Sequence, residues 1–119
     1  MRFMMFVRAD KKTESGALPS KELMAAMGRF NEEMAKAGVM LAGEGIQPSA
    51  KGARVTFARG TRSVTNGPFP AHELVAGFWM IQVASKDQAI EWAKRVPFAD
   101  GEVLEIRQVF EASDFAPAP

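Results

Sequence analysis

The stretch Val75–Ala84 predicts a strand that is apolar on both faces, which constrains the fold more than any other feature of this sequence. Alternate strand residues point to opposite faces, and here the two sets are Val75, Gly77, Trp79, Ile81, Val83 and Ala76, Phe78, Met80, Gln82. The apolar run within Met1–Arg8 is similar, and so is Val39–Ile46 apart from Glu44. Such strands are typical of a sheet that is covered on both faces, so the fold must supply a cover for each.

Two helices are predicted between these strands. Ser20 is a suitable N-cap for a helix over about residues 21–37, and Gly38 is a suitable stop. The inward stripe of this helix is formed by Leu23, Met27, Phe30 and Met34. Ser85 and Gln88 form a capping-box pattern for a second helix, which runs to about Arg95 and is ended by Pro97.

The middle of the chain predicts a hairpin and a stiff corner. Two short alternating strands, Ala53–Ala58 and Thr61–Thr65, flank Arg59-Gly60. The corner follows at Asn66-Gly67-Pro68-Phe69, in which Asn and Gly both tolerate positive φ and Pro68 ends strand pairing. Ala9–Pro19 and Gln47–Gly52 are predicted to be loops.

With a last strand over Val103–Phe110, the order of elements is β-α-β, hairpin, β-α-β. This order predicts an α+β ferredoxin-like sandwich with the hairpin inserted between its halves. We expect a single domain over residues 1–115 and a frayed tail at 116–119, which is rich in Ala and Pro.

Two helices can cover only one face of a four-stranded sheet. The second apolar face would then be exposed beyond what monomers usually tolerate. Burying this face would stabilise the protein by on the order of 10 kcal/mol, before the free-energy cost of association is subtracted. The same face of a second copy is the economical cover, so we expect a homodimer with the sheets face to face, an α/β barrel made by two chains.

Composition excludes several classes of function. The chain has 119 residues, a net charge of +1 and no cysteine, so disulfides, thiol nucleophiles and cysteine-ligated metals are excluded. The balanced charge gives no general attraction to nucleic acid or to a membrane. No phosphate-binding loop, metal-ligand cluster, signal peptide or apolar run of membrane-spanning length is recognised, so we expect no cofactor, no metal and a cytoplasmic location.

Six spaced segments are together similar to one known family: Met1-Arg2-Phe3-Met4, Ala42-Gly43-Glu44-Gly45-Ile46, Lys51-Gly52-Ala53-Arg54-Val55, Val64-Thr65-Asn66-Gly67-Pro68-Phe69, Gly77-Phe78-Trp79 and Glu105-Ile106-Arg107-Gln108-Val109-Phe110. They resemble the YCII-related, or DGPF-domain, family over nearly the whole chain. The resemblance implies a dimeric ferredoxin-like α/β barrel. Some members are encoded beside extracytoplasmic-function sigma factors, which implies a stress or regulatory setting.

The sequence departs from the family pattern at two places. Asn66 replaces the Asp of Asp-Gly-Pro-Phe. Smaller members of the wider family share a His–Asp pair suggested to be catalytic, whereas the first histidine here is His72. An amide cannot transfer protons as an acid or base, so Asn66 favours a structural corner over a catalytic one.

The candidate ligand-binding residues are Glu44, Arg54, Arg62, Asn66, His72 and Trp79. Glu44 interrupts an apolar strand between two glycines. It is paired with Arg54 or Arg62, exposed at the end of the strand, or a functional carboxylate in a pocket under the helix at 21–37. A histidine such as His72 could shuttle a proton, but a solvated position in a polar loop is its simpler interpretation.

Two functional hypotheses follow. The first is a small-molecule-binding protein or cofactor-free enzyme, with a pocket between sheet and helices that is lined by Phe, Met and Trp79. An anionic ligand would bind converging arginines, and an apolar one would bind the aromatic walls. The second hypothesis is a non-catalytic dimeric regulatory module, which an exposed apolar patch outside the dimer face would favour.

Overall fold

The computed structural model describes residues 1–116 and contains one four-stranded sheet, one separate hairpin and three helices. Only Ala116 of the tail predicted at 116–119 is within the described residues. Short 3₁₀ turns lie at Ser49–Lys51, Ala71–Glu73 and Ala112–Phe115. In chain order the helices and strands are β1 (Arg2–Arg8), α1 (Lys11–Glu14), α2 (Lys21–Lys36), β2 (Met40–Gly45), β3 (Ala53–Ala58), β4 (Thr61–Asn66), β5 (Val75–Gln82), α3 (Lys86–Lys94) and β6 (Leu104–Gln108).

The main sheet has the strand order β2-β5-β1-β6, and every neighbouring pair is antiparallel. Strand β5 lies between β1 and β2, so α2 makes a crossover between two strands that are not direct neighbours. The predicted α+β ferredoxin-like fold is confirmed.

The helix signals of the sequence act as expected in α2 and α3. The Oγ of Ser20 accepts a hydrogen bond from the Leu23 N–H at 3.1 Å, and Gly38 ends the helix with φ of 72°. Ser85 caps α3 through the Gln88 N–H at 3.2 Å. Helix α1 was not predicted, because Ala9–Pro19 is mostly polar and contains Gly16 and Pro19, yet Asp10 caps it by accepting from the Thr13 N–H at 2.8 Å.

Both long helices contribute to one core on one face of the sheet. The register places Met5 opposite Trp79 and Phe3 opposite Ile81, and all four side chains are buried. Phe30 of α2 meets the Trp79 ring edge to face, with 5.6 Å between ring centroids. This face of the sheet therefore carries the core.

The opposite face, here called the open face, is also apolar at its centre. Met4 lies opposite Met80, and Phe6 lies opposite Phe78. All four side chains are only partly buried. At the β6 edge of this face, the Glu105 carboxylate pairs with the Arg8 guanidinium at 3.1 Å and with that of Arg107 at 3.5 Å.

The hairpin, β3 with β4, does not pair with any strand of the main sheet. We call residues 53–66 the arm. Arg59 and Gly60 at its tip have φ of 48° and 80°, as the predicted Arg-Gly turn requires. Every residue of the arm is exposed. The radius of gyration is 16.9 Å, whereas a compact domain of this length has about 13–14 Å. The arm therefore extends away from the body.

The corner at Asn66–Phe69 differs from its prediction. Asn66 pairs with Ala53 as the last residue of β4, so the strand runs one residue further than predicted, and neither Asn66 nor Gly67 uses the positive φ that both tolerate. Glycine is needed for another reason: a Cβ on Gly67 would lie 1.8 Å from the Ser49 carbonyl oxygen. The Phe69 N–H donates to the Ser49 Oγ at 2.9 Å, which holds the corner on the 3₁₀ turn at Ser49–Lys51.

Gly67→Ala should destabilise the protein by about 1–3 kcal/mol, because backbone atoms of Ser49 would have to move. The matched control is Gly28→Ala in the exposed middle of α2, where a Cβ meets no atom within 4 Å. This control should instead stabilise the protein by about 0.5–1 kcal/mol, since Ala has the higher helix propensity. Urea unfolding of both variants tests the pair. Equal effects would contradict the close approach at Gly67.

Candidate functional site

A cleft of about 180 Å³ lies between α2 and the sheet, near the ends of β1 and β2. Its floor contains Gly43, Gly45 and Gly77. Gly45 stands opposite Gly77, and Gly77 stands opposite Val7, which packs against the core. Two neighbouring strands thus lack side chains at the same level of the helix-covered face, and this leaves the space.

The glycines of the floor have different roles. A Cβ on Gly43 would lie 2.6 Å from Cδ1 of Trp79, so this glycine lets the indole lie directly on β2. A Cβ on Gly45 would meet no atom within 4 Å. A Cβ on Gly77 would lie 2.9 Å from the Glu44 carbonyl oxygen, so Gly43 and Gly77 both serve close packing, whereas Gly45 borders free space.

The polar group of the cleft comes from α2. The Trp79 Nε1–H donates to the Oδ1 of Asn31 at 2.9 Å, which orients the Asn31 amide. Within residues 1–116, the Nδ2 of Asn31 has no hydrogen-bond partner, and this atom is not fully buried. Met27 and Val7 supply apolar walls. The arrangement can therefore offer N–H donors to a ligand that is otherwise in apolar contact.

The sequence analysis did not identify Asn31, although a signal was present. Asn31 follows Met27 by four residues and Phe30 by one, so it lies beside the inward stripe of α2. A polar residue beside such a stripe needs a partner. The partner could not be named from the sequence, because Trp79 is 48 residues away.

Glu44 lies at the rim of the cleft. It stands opposite Phe78 in the register, so its side chain belongs to the open face rather than to the face under α2. Within residues 1–116, Glu44 forms no ion pair with either arginine considered for it. Arg54 lies 3.8 Å from the Glu73 carboxylate, and the Arg62 guanidinium stacks 4.4 Å above the Phe57 ring.

A second, shallower cavity of about 320 Å³ lies beside the corner, with Arg54 and Phe69 among its lining residues, and we call this cavity the junction. The Arg54 guanidinium lies 4.0 Å above the Phe69 ring. The exposed His72 accepts a hydrogen bond from Arg8 Nη2 through its backbone carbonyl, at 2.9 Å. Asn66 pairs with Ala53 at the base of the arm.

A contact that the sequence analysis missed also stabilises the junction. The Glu14 carboxylate accepts a hydrogen bond from the Ser49 N–H at 2.9 Å and a second, short one from the Ser49 hydroxyl. The partners are 35 residues apart, and no local pattern connects them. They tie α1 to the 3₁₀ turn that supports the corner.

The six candidate residues thus fall into three places. Trp79 and Glu44 border the cleft, Arg54, Asn66 and His72 lie near the junction, and Arg62 lies on the arm. The arginines considered as an anion site do not converge, because Arg54 and Arg62 contact separate aromatic rings. Arg8 and Arg107 do share Glu105.

One ion pair, which lies away from the cleft, shifts the pKa of both its members. Arg2 Nε lies 2.9 Å from Oε1 of Glu111. The hydrogen bond from Arg2 lowers the pKa of the Glu111 carboxyl, and the same bond raises the pKa of Arg2. Because β1 and the segment after β6 are joined by this pair, it has a structural role.

The described residues contain no cluster of three or more His, Asp or Glu side chains that could hold a metal ion. Across residues 1–116, no helix combines the length and the apolar character needed to cross a bilayer.

Comparison with known proteins agrees with the fold and with the sequence segments. Residues 1–113 match the YCII-related domain. No curated protein matches the chain. Because the matching region covers nearly the whole sequence, this chain belongs to the YCII-related domain family.

Proposed function

We propose that this protein binds a small, largely apolar molecule in the cleft. The observation that carries the proposal is the free space at Gly45, which lies opposite Gly77 and beside the Trp79–Asn31 hydrogen bond. A pocket that joins apolar walls to a few oriented polar groups is typical of ligand sites.

The size and lining of the cleft indicate the class of ligand. An apolar cavity of about 150 Å³ is sufficient for benzene, so the cleft at about 180 Å³ suits a molecule with one ring. The Asn31 amide offers N–H donors, which match a carbonyl oxygen. No Lys or Arg lines the cleft, which favours a neutral carbonyl compound over an anion. The junction, with Lys51 and Arg54, suits an anion better.

The lining supports binding more than catalysis. Glu44 is the one charged residue that lines the cleft, and the register places its side chain on the open face. A cofactor-free enzyme would need this carboxylate to reach a ligand around the edge of β2. A role for Glu44 in catalysis or binding therefore remains a separate prediction, tested below.

We also propose that the working form is a cytoplasmic homodimer, joined through the open faces of two sheets. Met4, Phe6, Phe78 and Met80 occupy adjacent positions of the two central strands and are partly exposed. Covering such a patch with the same patch of a second copy removes apolar surface from water in both chains.

The regulatory-module hypothesis has one observation in its favour. Val55, Phe57 and Val64 form an exposed apolar patch on the arm, outside the open face. A protein partner could cover this patch. We favour ligand binding because the cleft has no other explanation in packing, whereas a second copy can cover the patch.

Benzamide should shift the indole N–H signal of Trp79 in a ¹H–¹⁵N NMR titration, since its ring would lie against Trp79 and its carbonyl would accept from Asn31. The chain has two tryptophans, so the Trp92 signal is an internal control. Gly45→Val should abolish the shift by filling the cleft. Asn31→Asp should weaken binding about tenfold, because it keeps the acceptor for Trp79 but removes the N–H donors.

The stability control for these variants is Gly28→Ala, which lies outside the cleft and should bind like the wild type. If neither benzamide nor related one-ring amides and ketones shift the Trp79 signal, the proposed ligand class is wrong. If Gly45→Val binds them unchanged, the cleft is not the site.

Glu44→Gln should leave the dissociation constant of the benzamide complex within about twofold of the wild type, because the carboxylate lies on the other face. The same titration measures it. A larger increase in this dissociation constant, at unchanged thermal stability, would assign Glu44 to the site and would favour the enzyme-like alternative.

Met80→Glu should raise the dissociation constant of the dimer at least about 100-fold, because it places a charge at the centre of the open face. Sedimentation equilibrium measures the constant, and circular dichroism checks the fold. Ala35→Glu, on the exposed side of α2, is the control and should leave the dimer intact. A monomeric wild type at micromolar concentration would refute the homodimer.

A further inference from the structure

The arm is amphipathic, although it stands apart from the main sheet. Register places Val55 opposite Val64, Phe57 opposite Arg62 and Ala53 opposite Asn66, so these six side chains share one face. The other face contains Arg54, Thr56, Ala58, Thr61, Ser63 and Thr65, all of which are polar except Ala58. One surface of the arm is thus built like a core-facing surface.

This apolar face is not covered by the described part of the chain. Val55, Phe57 and Val64 are exposed by 50%, 69% and 65%. A two-stranded hairpin is at best marginally stable by itself in water. An apolar face on an extended arm therefore indicates a surface that is covered in an assembly.

Charge indicates what covers it. Residues 45–72 contain Lys51, Arg54, Arg59 and Arg62 and no acidic residue. The rest of the chain then holds 11 basic and 14 acidic residues, since the totals are 15 and 14. Residues 45–72, which include the arm, therefore carry a net charge of +4, and the rest of the chain carries −3. Two copies are complementary in charge where the arm of one meets the body of the other.

We infer that the arm packs its apolar face on the body of a second copy of this chain, so that each chain of the dimer contacts the body of the other through its arm. The inference rests on the homodimer proposed above and adds a second contact to it. A charge of +4 could also favour nucleic acid, but the apolar surface formed by Val55, Phe57 and Val64 would not be used on phosphates.

The base of the arm allows a clean excision. The Gly67 N–H donates to the Gly52 carbonyl at 3.0 Å, so the two ends of the arm already meet. A two-residue Asn-Gly turn can therefore replace Ala53–Asn66. This variant should raise the dissociation constant of the dimer at least about tenfold in sedimentation equilibrium, and circular dichroism should show the main fold retained. If the excised chain does not fold, Phe57→Ser, with Thr56→Ser as its control, gives the same measurement.

Site-specific labels test the contact itself. The natural chain has no cysteine, so Val64→Cys and Ser63→Cys place one environment-sensitive fluorophore on the apolar or on the polar face of the arm. On dilution from dimer to monomer, the emission of the label at position 64 should shift to the red, and that of the label at position 63 should change little.

The outcomes separate the two proposals. A monomeric wild type overturns both. An arm-excised or Phe57→Ser dimer as tight as the wild type overturns the arm contact and leaves the sheet-face dimer in place. If the emission of the label at position 64 does not change on dilution, or changes only when duplex RNA or anionic vesicles are added, the arm contact is also overturned.

Discussion

The register between β2 and β5 is the constraint on which the rest of this structure depends. It puts Gly43 under the Trp79 indole, so that the largest side chain of the core can lie on the edge strand. The same register puts Gly45 beside Gly77 and leaves the cleft empty. A shift by one residue would exchange the two faces of β2 and would bring Glu44 under α2. Core packing and the candidate site are thus consequences of one alignment.

Within residues 1–116, the open face is partly exposed and the apolar face of the arm is exposed. Both surfaces are left uncovered for the same reason: the two longer helices cover one face of the main sheet, and neither covers the extended hairpin. A helix over the open face would remove the first surface but not the second. Self-association can cover both surfaces with parts that the chain already has, and it also brings opposite charges together.

Local signals predicted much of the fold because their physics is local. Ser20 and Gly38 bound α2 by capping and by positive φ, and Arg59-Gly60 turns the hairpin. The candidate site was harder to predict. Trp79 was identified as a lining residue, but its partner Asn31 was not, because a hydrogen bond across 48 residues leaves no trace in either neighbourhood. The support of the junction by Glu14 and Ser49 was missed for the same reason.

The sequence by itself determined the order of the strands and the two longer helices, the ferredoxin-like class and the family, since periodicity, capping and turn residues act over a few positions. Only the tertiary structure decided why Gly67 is a glycine, which face Glu44 takes and where free space remains. Each of these depends on the distance between segments far apart in the chain: Gly67 to Ser49, Glu44 to Phe78, and Gly45 to Gly77. Such distances are set by packing and register, which a residue pattern does not contain.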